Sequence, residues 1–170
     1  MNFKYRILGI DPGLALIGYS LLGLNNKIDK PELIECGVIS TKAGLPISKR
    51  LNTIRQDLLE LLNRFQPTAA VIELIYFTKN VKTGIAVAHA RGVILEAINS
   101  FGLEDIHEFT PTHLKQVLFG HGKANKAQIQ LVVSQSLGLP DIIKPDDAAD
   151  ATALALAYCR GSFRFTSETL

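Results

Sequence analysis

The amino-acid sequence predicts one α/β domain. Its opening third holds three apolar runs separated by turn signals, the pattern of an antiparallel meander. Its remainder alternates helical spacing with short runs rich in β-formers, as parallel strands joined by crossover helices do. No repeat, low-complexity tract or linker separates the two parts. At 170 residues, 47% of them hydrophobic and 20% charged, the chain can bury a sizeable core.

Each element has a local reason. Residues 6–10, RILGI, read as a buried strand ending at Asp11; Pro12-Gly13 turns the chain, and IGYSLLGL resumes as a second strand. Asn25-Asn26 makes another turn, and ELIECGVIS (32–40) alternates as a third strand. Ser48 then caps a helix in which Leu51, Ile54, Leu58, Leu61, Leu62 and Phe65 recur at helical spacing, with Pro67 past its end. AAVIELIYF (69–77) reads as a buried parallel strand with Glu73 in its middle. TGIAVAHARGVILEAI (83–98) reads as a helix. Its Ala86, Ala88, Ala90 and Gly92 permit close approach, of a sheet face or a second copy alike. A strand at 105–110 follows, then helices over 111–118, 125–137 and 146–160, with Gly138 and Pro140 punctuating the last gap.

Composition excludes several classes. The N-terminal stretch has no apolar run long enough for a signal peptide, and no segment approaches the roughly 20 apolar residues that span a bilayer. Cys36 and Cys159 are far apart and read as buried thiols, so the expected setting is a reducing cytoplasm. The net charge is only +2, so nucleic-acid binding does not follow from the total. Its distribution says more: between Phe109 and Pro140 there is no Asp or Glu, while Lys115, Lys123, Lys126, His113 and His121 fall inside that window.

The acidic residues pose the chemical question. Asp11 ends one apolar strand and Glu73 interrupts another, and ionised carboxylates in such places need a partner or a metal. In KPDDAADATALALAYC, Asp147 and Asp150 lie three apart and share a helix face. Asp146 reads as a cap, since first-turn acids are favoured by free amides and the helix dipole. Asp150 lies a turn further in, where capping gives no reason for a charge; Asp11 taken alone could simply anchor its Asp-Pro-Gly turn. If the four converged, two charges about 4 Å apart would repel by roughly 4 kcal/mol at an effective dielectric near 20, so cations would be required. All-oxygen ligation suits Mg²⁺ or Mn²⁺ rather than Zn²⁺, and two such ions suit phosphodiester hydrolysis.

Five blocks, GIDPGLALIGY, VIELIYFTKN, HARGVILEAI, KANKAQIQ and DDAADATALALAYC, in this order and spacing, resemble the RuvC family of Holliday-junction resolvases along nearly the whole chain. The resemblance implies a ribonuclease H-like fold: a mixed five-stranded sheet with helices on both faces, spanning residues 1–160, with a flexible tail at 161–170. It implies that Asp11, Glu73, Asp147 and Asp150 are catalytic and hold two Mg²⁺ per subunit, for which Mn²⁺ would substitute. It also places an aromatic wedge at the junction crossover, here Tyr76 or the adjacent Phe77. Lys79, Asn80, Lys115, Lys123 and Lys126 are implied as further DNA contacts, fitting the basic window. A homodimer with 83–98 at its seam would nick a four-way junction symmetrically, leaving 5′-phosphate and 3′-hydroxyl ends in recombination and repair. A branch-migration helicase is the implied partner. The extra Asp146 leaves the C-terminal acidic register open by one residue.

Other readings differ in specific features. A nuclease acting on ribosomal RNA precursors shares the opening GIDPG, but the NKAQIQ block and the aromatic after Glu73 favour the junction enzyme. An actin-like kinase would need a second phosphate loop and a second domain, for which 170 residues leave no space. A junction-binding module without catalysis would be expected to have lost some of the four acids, all of which are present.

Overall fold

The three apolar runs at the N-terminus form β1 (Tyr5–Asp11), β2 (Leu16–Leu24) and β3 (Glu32–Ser40), joined as an antiparallel meander. These come from a computed structural model that describes residues 3–26, 30–74 and 81–164, without the side chains of 81–83 and 162–164. Beyond β1, two shorter strands, β4 (Ala69–Glu73) and β5 (Ile106–Phe109), run parallel to it, giving the sheet order β3-β2-β1-β4-β5. The helices are α1 (Ile47–Phe65), α2 (Val81–Phe101), α3 (Pro111–Phe119), α4 (Lys126–Leu137) and α5 (Asp146–Arg164). The mixed five-stranded sheet expected from the sequence is therefore present.

Side-chain alternation divides the sheet into two apolar layers. Leu8 and Ile10 of β1, Ile17 and Leu21 of β2 and Ala70 and Ile72 of β4 pack with Ile54, Leu58 and Leu62 of α1 and Ile94 and Ile98 of α2. Ile7, Leu22, Ala69 and Val71 face the other way, onto α5 and, through it, α3 and α4. α5 is buried along nearly its whole length between Ala148 and Cys159, which is why its sequence is a run of small apolar residues. Because strand side chains alternate with period two, Asp11 falls in phase with Ile7, and Glu73 in phase with Ala69 and Val71. Both carboxylates thus belong to the α5 face of the sheet.

Several expected boundaries move. Ser48 is not a cap: α1 begins at Ile47, Pro46 holds the cap position without a side-chain bond, and the N–H groups of Lys49 and Arg50 reach the Pro46 carbonyl. The proline's fixed φ makes it an entry residue two positions earlier than the serine. Glu73 is the last residue of β4 rather than its middle, and residues 75–77 of the expected strand lie outside the described residues. Asp146 opens α5, but its carboxylate accepts from Gln130 and pairs with Lys126 instead of capping. α2 is longer than expected at both ends, and α5 runs to Arg164, so the first four residues of the expected tail are helical. Cys159 is buried as expected, with its thiol pushed up to about 12 by burial; Cys36 is only half-buried. Both are free thiols. No helix among the described residues is long and apolar enough to cross a membrane.

Candidate active site

Two glycines bring the C-terminal acids to the strand ends. A Cβ at Gly9 in β1 would come 2.1 Å from the backbone oxygen of Ala151, and one at Gly18 in β2 would come 1.9 Å from that of Asp147. α5 therefore lies directly on bare backbone of β1 and β2, closer than any side chain would permit. Its N-terminal turn reaches the sheet where β1 ends. In the β1–β2 register Asp11 is opposite Gly18; in the β1–β4 register Ile10 is opposite Ile72, which sets Asp11 beside Glu73. The register, the period of two and the glycines together gather Asp11, Glu73, Asp147 and Asp150 at one end of the sheet.

The electrostatics follow from that placement. Burial first, and then the negative charges of Glu73, Asp150 and Asp147, together raise the Asp11 carboxyl from its ordinary value to about 7 against the pull of Lys126. Burial also raises Glu73, as does Asp150, while a hydrogen bond with Asp11 works in the opposite direction. Lys126 is the counter-charge. Its ammonium lies 3.1 Å from Asp150 and 3.3 Å from Asp146. Partial burial works against its charge, but Asp150 and then Asp146 outweigh that and raise its pKa. In this arrangement no three His, Cys, Asp or Glu side chains among the described residues are set to hold a metal ion. The donor set nevertheless fits hard cations by its chemistry, being four carboxylates with too little positive charge nearby to keep them all ionised.

A cleft of about 190 Å³ opens from this cluster on the α3–α5 side of the sheet, lined by Glu73, Asp150, Lys115 and Lys126 among others. The KANKAQIQ block acquires a local cause here. Asn125 accepts from the Gln128 backbone N–H while the Gln128 side chain accepts from the Asn125 N–H, a complete capping box that starts α4 and fixes Lys126 as its first residue. The Asn-x-x-Gln spacing before an apolar run was a readable signal for it, and sequence reasoning missed it. Thr110 caps α3 in a simpler way, accepting from the His113 N–H, and so sets the direction of the helix that carries Lys115. Lys123 is exposed in the turn between α3 and α4, outside that cleft. Tyr76, Phe77, Lys79 and Asn80 lie outside the described residues.

Comparison with known proteins shows the family. The family model for crossover junction endodeoxyribonuclease RuvC matches residues 7–158. The protein of that name from Finegoldia magna is 43% identical, the match covering 96% of this chain and 98% of the relative. That from Chloroflexus aurantiacus is 40% identical, covering 97% and 96%. Among solved structures, Thermus thermophilus RuvC superposes with a TM-score of 0.84 at 32% identity, covering 96% of this chain and 97% of that one. The same protein in complex with a Holliday junction substrate gives 0.88 at 31%, covering 96% and 98%. A sheet that sets acids at its strand ends, a cleft beside them that carries Lys115 and Lys126, and relatives matched from end to end have one common explanation: this chain belongs to the RuvC family of crossover junction endodeoxyribonucleases.

Proposed function

We propose that the protein resolves Holliday junctions by paired, symmetric, metal-dependent nicks that leave 5′-phosphate and 3′-hydroxyl ends, in DNA recombination and repair. The observation that carries this reading is the meeting of Asp11, Glu73, Asp147 and Asp150 at one end of the sheet, beside a cleft lined by Lys115 and Lys126. The four carboxylates would hold two Mg²⁺ ions, or Mn²⁺ in their place. When bound, such ions supply an activated water and stabilise the departing oxygen. Asp11 and Glu73, rooted in adjacent parallel strands, provide the rigid half of that site, and Asp147 and Asp150 provide the half carried by α5. Lys115 and Lys126 bind the backbone of the strand to be cut, which positions it without reading bases. Tyr76 or Phe77 stacks on a base at the crossover, and Lys79, Asn80 and Lys123 add contacts to the DNA.

Two cuts on strands of like polarity require two sites related by a two-fold axis, which a homodimer supplies. On α2, Ile85, His89 and Gly92 form an exposed stripe suited to a second copy, whereas Ala90, expected at the seam, is fully buried within this chain among the residues of the α1–α2 layer. A branch-migration helicase as partner and a cytoplasmic setting rest on family membership.

The test is incubation with an immobile four-way junction, linear duplex and structured RNA, with and without Mg²⁺. The expected result is junction cleavage that depends on Mg²⁺ and is abolished by Asp11→Asn with junction binding retained. Cleavage that survives Asp11→Asn would overturn the assignment, because that change removes a ligand charge and leaves the basic cleft untouched.

A further inference from the structure

On the α1–α2 side of the sheet a second cleft, of about 520 Å³, reaches the same acidic cluster, with Asp147 on one wall. Its lining is mostly apolar, including Leu14, Leu16, Ala86 and Val87, and Arg50 is the sole cation among the described residues that line it. Arg50 is held in place. Its Nε donates to the buried Thr41 Oγ1 at 2.8 Å, and that hydroxyl donates to the Leu14 carbonyl at 2.6 Å. The Thr41 N–H donates to the Ala15 carbonyl at 3.0 Å. The guanidinium is thereby fixed against the loop that leaves Asp11. Arg55, Arg91 and Lys126 each pair with a carboxylate, but among the described residues no carboxylate pairs with Arg50 and none accepts a hydrogen bond from its Nη groups.

An oriented guanidinium with both Nη groups available to donate, facing a cleft that opens onto a phosphodiester-cutting site, fits a phosphate oxygen. Neither Lys115 nor Lys126 can serve this flank, because both line the cleft on the other side of the sheet. We propose that Arg50 binds a phosphate of the cleaved strand other than the one cut, so that the strand crosses the acidic cluster held by lysines on one flank and by Arg50 on the other. The apolar walls then receive a deoxyribose. This inference rests on the reading of the protein as a junction nuclease.

The test uses the full-length protein with an immobile four-way junction carrying a single neutral methylphosphonate, moved position by position along the cut strand. Arg50→Gln should weaken junction binding about 10-fold and lower the slope of log affinity against log salt by about one, with Arg50→Lys restoring the slope. One methylphosphonate position outside the cut site should weaken the wild-type protein and leave Arg50→Gln unaffected. If Arg50 only braced the loop through Thr41, Thr41→Val would reproduce its loss of activity while the salt slope stayed put and no position distinguished the two proteins. That outcome, with wild-type protein still cutting the unmodified junction, overturns this inference alone. A wild-type protein that does not cut the junction overturns the functional reading and this inference with it.

Discussion

Gly18 stands opposite Asp11 in the β1–β2 register, and a Cβ there would come 1.9 Å from the backbone oxygen of Asp147. One glycine thus sets the distance between two of the four acids. Gly18→Ala must push back the first turn of α5, which is backbone and cannot swing aside as a side chain would. Overpacking of this kind costs about 1–3 kcal/mol, and a displacement near 1 Å at a catalytic group can cost about 100-fold in rate. The expected outcome is a lowered melting temperature and a larger fall in cleavage than in junction binding, read by calorimetry and by single-turnover cutting. Unchanged cleavage would show that the position of α5 does not govern the site.

Asp11 makes the stability of the metal-free protein depend on pH. Its folded pKa of about 7 lies above the ordinary 3.8, so the folded state binds the proton more tightly than the unfolded chain does. Stability therefore falls as pH rises through the interval between those values, and above about 7 the whole penalty is present. Each tenfold change in proton affinity is worth about 1.4 kcal/mol, which puts the penalty at the order of a few kcal/mol. Asn cannot ionise. In chelator, Asp11→Asn should match the wild type near pH 4 and be the more stable protein at pH 8, as followed by denaturant unfolding. A constant difference across that range would mean that Asp11 does not carry the strain.

Lys126 has two roles that one substitution separates. It neutralises Asp150 and Asp146, and it lines the cleft proposed for the DNA backbone. Lys126→Ala should weaken junction binding and reduce its salt slope by about one. The same change removes the cation competing for Asp150, so the Mg²⁺ concentration needed for half-maximal cleavage should fall. A weaker slope with no shift in the Mg²⁺ requirement would separate the ammonium from the acids. Folding stability should change by less than about 1 kcal/mol, because both ion pairs are largely exposed.

How much of this was legible in the sequence depended on the range of the interaction. The β3 boundaries were readable because turn residues and alternation are local, and the acids were conspicuous because charge is costly beside apolar strands. The role of Gly9 and Gly18 was hidden, since a glycine in a strand says that something comes close without saying what. Only the packing of α5 identifies it as the Ala151 and Asp147 carbonyls. Glu73 was misplaced within its strand because the apolar run continues past the point where β4 ends. Arg50 drew no notice because its meaning depends on Thr41 and on the loop after Asp11, neither of which its own helix reveals.

The capping box at the start of α4 offers a test of whether the placement of Lys126 in the cleft is built or incidental. Asn125 and Gln128 satisfy one another's backbone N–H groups, and the residue between them that enters the cleft is Lys126. Replacing an Asn cap by Ala costs about 0.5–2 kcal/mol, so Asn125→Ala should lower the melting temperature by several degrees. The change adds or removes no charge, so a lysine that merely sat on the surface would keep its effect on DNA. If the cap fixes the direction of Lys126, Asn125→Ala should instead lower junction affinity well below the melting temperature, and the double variant with Lys126→Ala should bind no worse than Lys126→Ala alone. Losses that simply added would mean that the two residues act independently and that α4 starts in the same place without its cap.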